Sequence, residues 1–260
     1  MASCSTCALD GVIPTPSCLE RNMLMNWLRK ARVLLPQEIH WPFTAVYEKV
    51  AVFGLRDFHS QVASEIDSTV KCGRILDAGT GPGCLLAEIA RRRSDLELTG
   101  IDLSGSMLRI ARGKLEKIRP GSNGAGPVRF IRADVRDLPF PDGAFDLVVS
   151  TLSLHHWHDP AAGIRECLRV TACGGQCWIY DLRSDVHPRA HAELASGTLA
   201  ARRALGMIFK FHGVNPADFS ASALAAWLGG AAEARPEVHA AYVKLNMARR
   251  QPVAGKMVCS

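Results

Sequence analysis

The stretch Arg74-Ile75-Leu76-Asp77-Ala78-Gly79-Thr80-Gly81-Pro82-Gly83 changes the grammar of the chain. A short apolar run stops at Asp77, glycines follow at three alternate positions, and residues 84–92 read as a helix. This is strand, loop, helix. The glycines let the backbone bend tightly and approach a ligand with no side chain in the way, and the following helix points its free N–H groups at the same place. A carboxylate or phosphate is welcome there.

The alternation continues downstream. Residues 96–101 read as a second strand ending at Asp102, and Met107, Leu108, Ile110, Ala111 and Leu115 are the buried face of the next helix. A Gly- and Pro-rich connection over 120–127 leads to a third strand at 128–131, just before Ala133-Asp134. The fourth strand, 145–150, carries Leu147-Val148-Val149, a run suited to burial on both faces of a sheet. Asp159 followed by Pro160 starts a helix, since the carboxylate caps free amides and the proline suits the first helical position. That helix is expected to reach about Arg169, with Gly174 and Gly175 ending it and a fifth strand over 176–182. The pattern predicts an α/β fold with a doubly wound, Rossmann-like parallel sheet.

Outside this core the signals are weaker. Residues 1–20 read as a loose arm, and two helical patterns follow, through Met23, Leu24, Trp27, Leu28 and Leu34 and through Phe43, Val46, Tyr47, Val50 and Val62. After Arg183 come a helical stretch over 190–211, a turn at 213–216, a short helix over 221–228 and two weak strands within 238–249. The expected organisation is an arm at 1–20, a helical cap at 21–70, the nucleotide-binding core at 71–183, a substrate-cap insertion at 184–220, and a helix and strands completing the sheet at 221–260.

Charge and cysteine usage exclude several classes. The net charge is +6, yet the tight basic clusters, Arg91 to Arg93 and Arg249 with Arg250, have no interleaved aromatics for base stacking, so they read as solvated faces and no nucleic-acid partner is expected. No run approaches the roughly 18 apolar residues of a membrane span, and the first residues lack the basic patch and apolar run of a leader. Nine scattered cysteines argue against a closed disulfide framework, so a reducing, cytoplasmic setting is expected. No feature specifies an oligomeric state.

In an open α/β sheet a ligand sits beyond the carboxyl ends of the strands, where the strand order reverses. Asp102 is placed to accept hydrogen bonds from both hydroxyls of a ribose, which implies a nucleoside. Leu103 and Met107 can flank an adenine, Asp134 can accept from its exocyclic amine, and the Val135 amide can donate. Each feature alone has a plainer reading, as a turn or a helix cap; in this order, at successive strand ends, they converge on one adenosyl group.

These residues resemble the motifs of class I S-adenosylmethionine-dependent methyltransferases. The first motif matches Ile75 to Gly83, the second the segment around Asp102-Leu103-Ser104 and Met107, and the third Ala133-Asp134-Val135 with Leu138-Pro139-Phe140. Phe145-Asp146-Leu147-Val148, Leu154-His155-His156-Trp157 and Gly174-Gly175 extend the likeness, which covers about residues 70–183 and is nearest the ubiquinone- and menaquinone-type small-molecule subgroup. The resemblance implies S-adenosyl-L-methionine as cofactor and a seven-stranded sheet whose last strand is antiparallel. It places the methionyl end by Gly79, Thr80, Gly81 and Gly83, with Asp77 orienting that loop. Thr151 and Leu152 match positions near the methionyl part and the acceptor, and Tyr47 resembles a cap tyrosine.

Methyl transfer asks little of side chains beyond alignment and exclusion of water. A base is needed only where the acceptor carries a proton; His156, and then His155, are the candidates, with packing of the loop as the plainer reading. No metal site is expected, and Ser150-Thr151 stand where arsenic methyltransferases carry a cysteine; Cys4 with Cys7 and Cys173 with Cys177 keep a thiol-dependent metalloid methyltransferase as an alternative. A cofactor-binding regulatory module is another. An NAD(P)-dependent oxidoreductase fits worse, because the glycines lack the six-residue dinucleotide spacing. Leu199, Leu205, Met207, Ile208, Phe209 and Phe211 in the insertion suggest an apolar inner face, hence an apolar or aromatic small-molecule acceptor.

Overall fold

A computed structural model describes residues 54–118, 128–209, 213–230 and 232–250. The arm at 1–20, the cap before residue 54 with Tyr47, the connection at 120–127, Phe211 and the Cys4 and Cys7 pair lie outside the described residues.

The chain runs α1 (Arg56–Thr69), β1 (Arg74–Ala78), α2 (Cys84–Arg92), β2 (Glu97–Asp102), α3 (Gly105–Ile118), β3 (Val128–Arg132) and β4 (Phe145–Thr151). A 3₁₀ turn (Leu154–His156), α4 (Pro160–Val170), β5 (Thr171–Leu182), α5 (Pro188–Leu194) and α6 (Leu199–Phe209) follow. A second 3₁₀ turn (Pro216–Phe219), α7 (Ala221–Leu228), β6 (Ala232–Val238) and β7 (Tyr242–Arg249) complete the described chain. The seven strands lie in the order β3-β2-β1-β4-β5-β7-β6. Pairing is parallel from β3 through β5, and β7 runs antiparallel between β5 and β6. The order reverses between β1 and β4, which places the crevice at their carboxyl ends.

The apolar runs of the central strands are explained by burial on both sides. Ile75, Leu147, Val149, Trp178 and Tyr180 face one core, covered by Phe58, Val62 and Ile66 of α1 and Leu85, Leu86 and Ile89 of α2. Leu76, Val148, Cys177, Ile179, Val243 and Leu245 face the other, covered by Ile164 and Leu168 of α4 and Leu224 and Leu228 of α7. On the α1 side the buried Lys244 ammonium pairs with Glu65, which also accepts from the Tyr180 hydroxyl at 2.8 Å. The same ammonium sits over the Trp178 ring, 4.7 Å from its centroid, and so ties α1 to β5 and β7. Burial, with Glu65 adding to it, pushes the Tyr180 phenol well above its usual range.

Three boundaries differ from the sequence reading. β5 begins at Thr171, because the glycines at 174 and 175 do not end a helix but lie within the strand where its register against β4 shifts. The stretch 190–211 is two helices, broken around Gly197, whose φ is +100. β6 starts at Ala232, earlier than read, because its exposed Glu233, Glu237 and Pro236 suit an edge strand and mask its alternation. Within the insertion Leu205 and Phe209 are buried, while Leu199 is exposed. Ser196 donates to the Gly54 carbonyl at 2.8 Å and its Oγ accepts from Asp57 N–H at 3.1 Å, so the insertion docks on the start of α1.

Candidate functional site

The loop after β1 is held in three ways. Gly79 and Thr80 N–H both donate to the Ile101 carbonyl, at 2.9 and 2.8 Å, fastening it to the end of β2. The Thr80 hydroxyl donates to Asp77 Oδ2 at 2.7 Å. Gly81 N–H donates to Asp102 Oδ2 at 2.9 Å, and Asp102 Oδ1 accepts from Ser104 N–H at 2.8 Å. Asp102 therefore fixes both loops with one lone pair on each oxygen, and each oxygen keeps a second for a ligand hydroxyl.

Asp77 is 1% exposed, and its Oδ1 has no hydrogen-bond partner among the described residues. Burial pushes its carboxyl up to about 7, with Asp102 adding to the shift and the Thr80 hydrogen bond opposing it. Asp102 is also raised, by burial first, against the two backbone amides that favour its charge. A buried acceptor without a donor is costly, and a cationic ligand group removes the cost.

The adenine-side residues are placed differently. Met107 and Val135 are buried and Leu103 is half-buried at the end of β2. Asp134 follows β3, but both its oxygens accept from the Arg136 guanidinium, with contacts of 2.6 to 3.1 Å, and Arg136 N–H caps Oδ1 at 2.9 Å. That pairing holds the Asp134 carboxyl below its usual range. An amine reaching Asp134 shares the carboxylate with Arg136.

Beyond β4 the backbone turns sharply. Leu152 has φ +56, which for a side chain branched beyond Cβ costs about 1–3 kcal/mol. Its N–H donates to the Tyr180 carbonyl at 2.8 Å and its side chain is buried, so packing holds the strained turn. Thr151 ends β4, and Ser153 lies directly against Gly79, its Oγ accepting from Trp157 Nε1 at 2.9 Å. The 3₁₀ turn then carries the two histidines, with ring centroids 4.0 Å apart. They part in environment: the His155 side chain is 5% exposed, whereas His156 is exposed.

His155 meets a residue the sequence reading missed. Asp181, fully buried in β5, accepts from the His155 N–H through Oδ2 and contacts His155 Nδ1 through Oδ1, both at 2.7 Å. Ser153 was missed as well, and Trp157 was read only as part of the family likeness. One signal was present for Asp181: an acid inside the otherwise apolar run 177–182, one strand over from the histidines. The cysteine pair at 173 and 177 is not brought together as a site, since Cys173 is exposed and Cys177 is buried and hydrogen-bonded to Cys167. No helix among the described residues is long and apolar enough to cross a membrane.

Residues 76–179 match the methyltransferase domain family. The chain is 41% identical over 103 residues to demethylmenaquinone methyltransferase of Thermus thermophilus, a match covering 40% of this chain and 44% of that protein. It is 35% identical over 108 residues to ajmaline N-methyltransferase of Rauvolfia serpentina, covering 42% and 35%. The match thus spans under half the length of these relatives. Among solved structures, the plantazolicin methyltransferase BpumL bound to SAH superposes with a TM-score of 0.62 at 14% identity, covering 88% of this chain and 99% of that one. An S-adenosyl-L-methionine-dependent methyltransferase structure from Methanococcus maripaludis gives 0.61 at 18% identity, over 81% and 94%. Those two likenesses establish the fold.

Proposed function

We propose that this chain, whose residues 76–179 match the methyltransferase domain family, is a class I S-adenosylmethionine-dependent enzyme that transfers the methyl group of that cofactor to a small-molecule acceptor by in-line displacement. The observation that carries the reading is the convergence of three features at the ends of β1 and β2. Asp77 presents a buried oxygen with no partner among the described residues, the space beside Gly81 is open, and Asp102 keeps acceptor capacity on both oxygens.

The residues fit the cofactor's three parts. Asp102 would take the ribose hydroxyls, Met107, Leu103 and Val135 would flank the adenine, and Asp77 Oδ1 would receive the methionyl ammonium. When bound, the cofactor supplies an electrophilic methyl on a sulfonium. The protein's part is to hold the loop rigid through Ile101, Thr80 and Asp102, and to close the β4 side with Thr151, Leu152 and Ser153 so that water is excluded. An apolar or aromatic acceptor is the reading carried by the apolar sequence of the insertion, whose Leu205 and Phe209 pack into the core beside α1. Methyl-labelled cofactor incubated with hydroquinones, phenols, alkaloid amines and thiols tests it. Label in at least one small molecule is expected; label only in protein or nucleic acid contradicts it.

Asp77 gives this reading a proton signature. Its carboxyl is raised to about 7, so the stability gained by keeping it protonated is fully present below about pH 4 and is lost as pH rises through 7. The loss is on the order of a few kcal/mol, since each factor of ten in proton affinity corresponds to about 1.4 kcal/mol. An arriving ammonium favours the carboxylate, so cofactor binding at pH 7 is expected to release a fraction of a proton. Calorimetry in buffers of different ionisation enthalpy reads this directly: the observed enthalpy should vary with buffer near pH 7 in the wild type and be constant in Asp77→Asn. Buffer-independent enthalpy in the wild type would refute the assignment.

A further inference from the structure

The insertion leaves the sheet at the carboxyl end of β5, the edge at which the parallel strands β1, β2 and β4 present the residues assigned to the cofactor. Its two helices cross in close contact. A Cβ on Gly206 would run into the Pro188 carbonyl oxygen and would lie 3.3 Å from Ala192 Cβ. One side of the pair packs into the core through Leu194, Leu205 and Phe209. Elsewhere the pair borders a cavity of about 420 Å³, lined by Arg189, Ala192 and Glu193 of α5 and by Leu199, Arg202 and Arg203 of α6. In both helices those residues stand at i, i+3 and i+4, so each set forms one face of its helix. Three guanidiniums meet one carboxylate there. The half-buried Arg202 donates from Nε to the Ala192 carbonyl at 2.8 Å and is fixed between the helices.

Arg189 and Arg203 are exposed and make no ion pair among the described residues. The basic run at 91–93 differs, since Arg91 pairs with Glu88 and Arg93 with Asp67 and Asp95. Beside the two unneutralised guanidiniums stands Leu199, 62% exposed and the most exposed large apolar side chain among the described residues. Cations around an exposed aliphatic group complement a bilayer surface: guanidiniums take lipid phosphates, two oxygens at once, while the leucine enters the boundary of the acyl chains. A soluble anion would use the arginines and leave the leucine in water. We propose that this face of α5 and α6 docks on a membrane surface of anionic phospholipid. The docking does not depend on the methyl-transfer reading. If both hold, it brings the insertion, and with it the carboxyl end of β5, to the lipid in which an apolar acceptor dissolves.

Co-sedimentation of the full chain with vesicles tests the proposal. Binding to vesicles of equal parts phosphatidylcholine and phosphatidylglycerol is expected, with little to phosphatidylcholine alone, and it should weaken as salt rises. Arg189→Gln with Arg203→Gln should lower the partition coefficient by about 30-fold, since each basic side chain near the surface contributes about fivefold. Leu199→Ser should lower it about tenfold by removing the aliphatic contact. Arg109→Gln with Arg129→Gln removes the same charge from exposed positions of α3 and β3 and should change it less than about threefold, because those positions lie off the docking face. Equal losses in the two double variants would mean that net charge alone binds, and would overturn the assignment. So would a wild type that does not bind, or that binds both vesicles equally. Displacement from the vesicles by soluble glycerol phosphate at matched ionic strength would mark a pocket for free phosphate and overturn it too. Thermal unfolding checks that each variant is folded; if the double arginine variant is not, Leu199→Ser decides. Failure of the labelled methyl-transfer screen would leave vesicle binding untouched, so the two readings fail separately.

Discussion

Asp102→Ala is expected to weaken S-adenosylmethionine binding by about 10²–10³-fold. The side chain has two duties, and alanine ends both. Each carboxylate oxygen keeps a lone pair for a ribose hydroxyl after serving a backbone amide, and a hydrogen bond to a charged group contributes about 1.5–3 kcal/mol. Two such bonds correspond to two or more decades of affinity. The variant also releases Gly81 and Ser104 N–H, so the loop after β1 loses a tie to β2, though Gly79 and Thr80 keep theirs to Ile101. Asp102→Asn, with one acceptor oxygen, should fall between the two. Calorimetric titration of the three proteins checks the order. Equal affinities would place the ribose elsewhere.

The second large effect separates two glycines that look equivalent in the sequence. Both have positive φ, +53 at Gly81 and +70 at Gly83, so any side chain costs about 1–2 kcal/mol there. Their surroundings differ. A Cβ on Gly83 would lie 2.8 Å from Ala111 Cβ and 3.2 Å from its Cα, where α2 crosses α3, and backbone cannot move aside cheaply. A Cβ on Gly81 would meet nothing within 4 Å, because it would enter the space assigned to the cofactor. Gly83→Ala is therefore expected to cost about 2–4 kcal/mol of stability, from strain plus overpacking. Gly81→Ala should cost only the strain, yet lower cofactor affinity by roughly 100-fold, which is about 2.7 kcal/mol. Chemical denaturation and calorimetry on both variants give the contrast. Equal losses of stability with unchanged affinity in Gly81→Ala would mean that this loop is packing alone.

The fold is legible where one physical signal dominates. Ile75-Leu76 and Leu147-Val148-Val149 are buried on both faces, so their apolar runs mark central strands, and Asp159-Pro160 caps α4 as its chemistry requires, with Asp159 accepting from Ala162 N–H at 2.9 Å. β6 is harder to place because an edge strand needs no alternation, and Pro236 with the charged Arg235 and Glu237 on either side is how such an edge is kept from pairing. The break between α5 and α6 depends on a left-handed Gly197 that propensity alone does not reveal. The residues proposed for the adenosyl side follow from a local rule, since Asp102, Leu103, Asp134 and Val135 lie at or just beyond strand ends and Met107 opens the helix after β2. The pairing of His155 with Asp181 does not: the two are 26 residues apart, and only the adjacency of β4 and β5 brings them together. Without that adjacency the chain favours His156 as a base; the structure places the buried carboxylate against His155. Likewise, Asp134 reads as free for an amine along the chain, yet Arg136, two residues on, occupies it.

The most direct test of the central claim is calorimetric titration of the full chain with S-adenosylmethionine and, separately, with NADH. Micromolar binding of S-adenosylmethionine with no binding of NADH is the predicted result. Binding of NADH alone, or of neither compound, would contradict the assignment of the Asp77, Gly81 and Asp102 site.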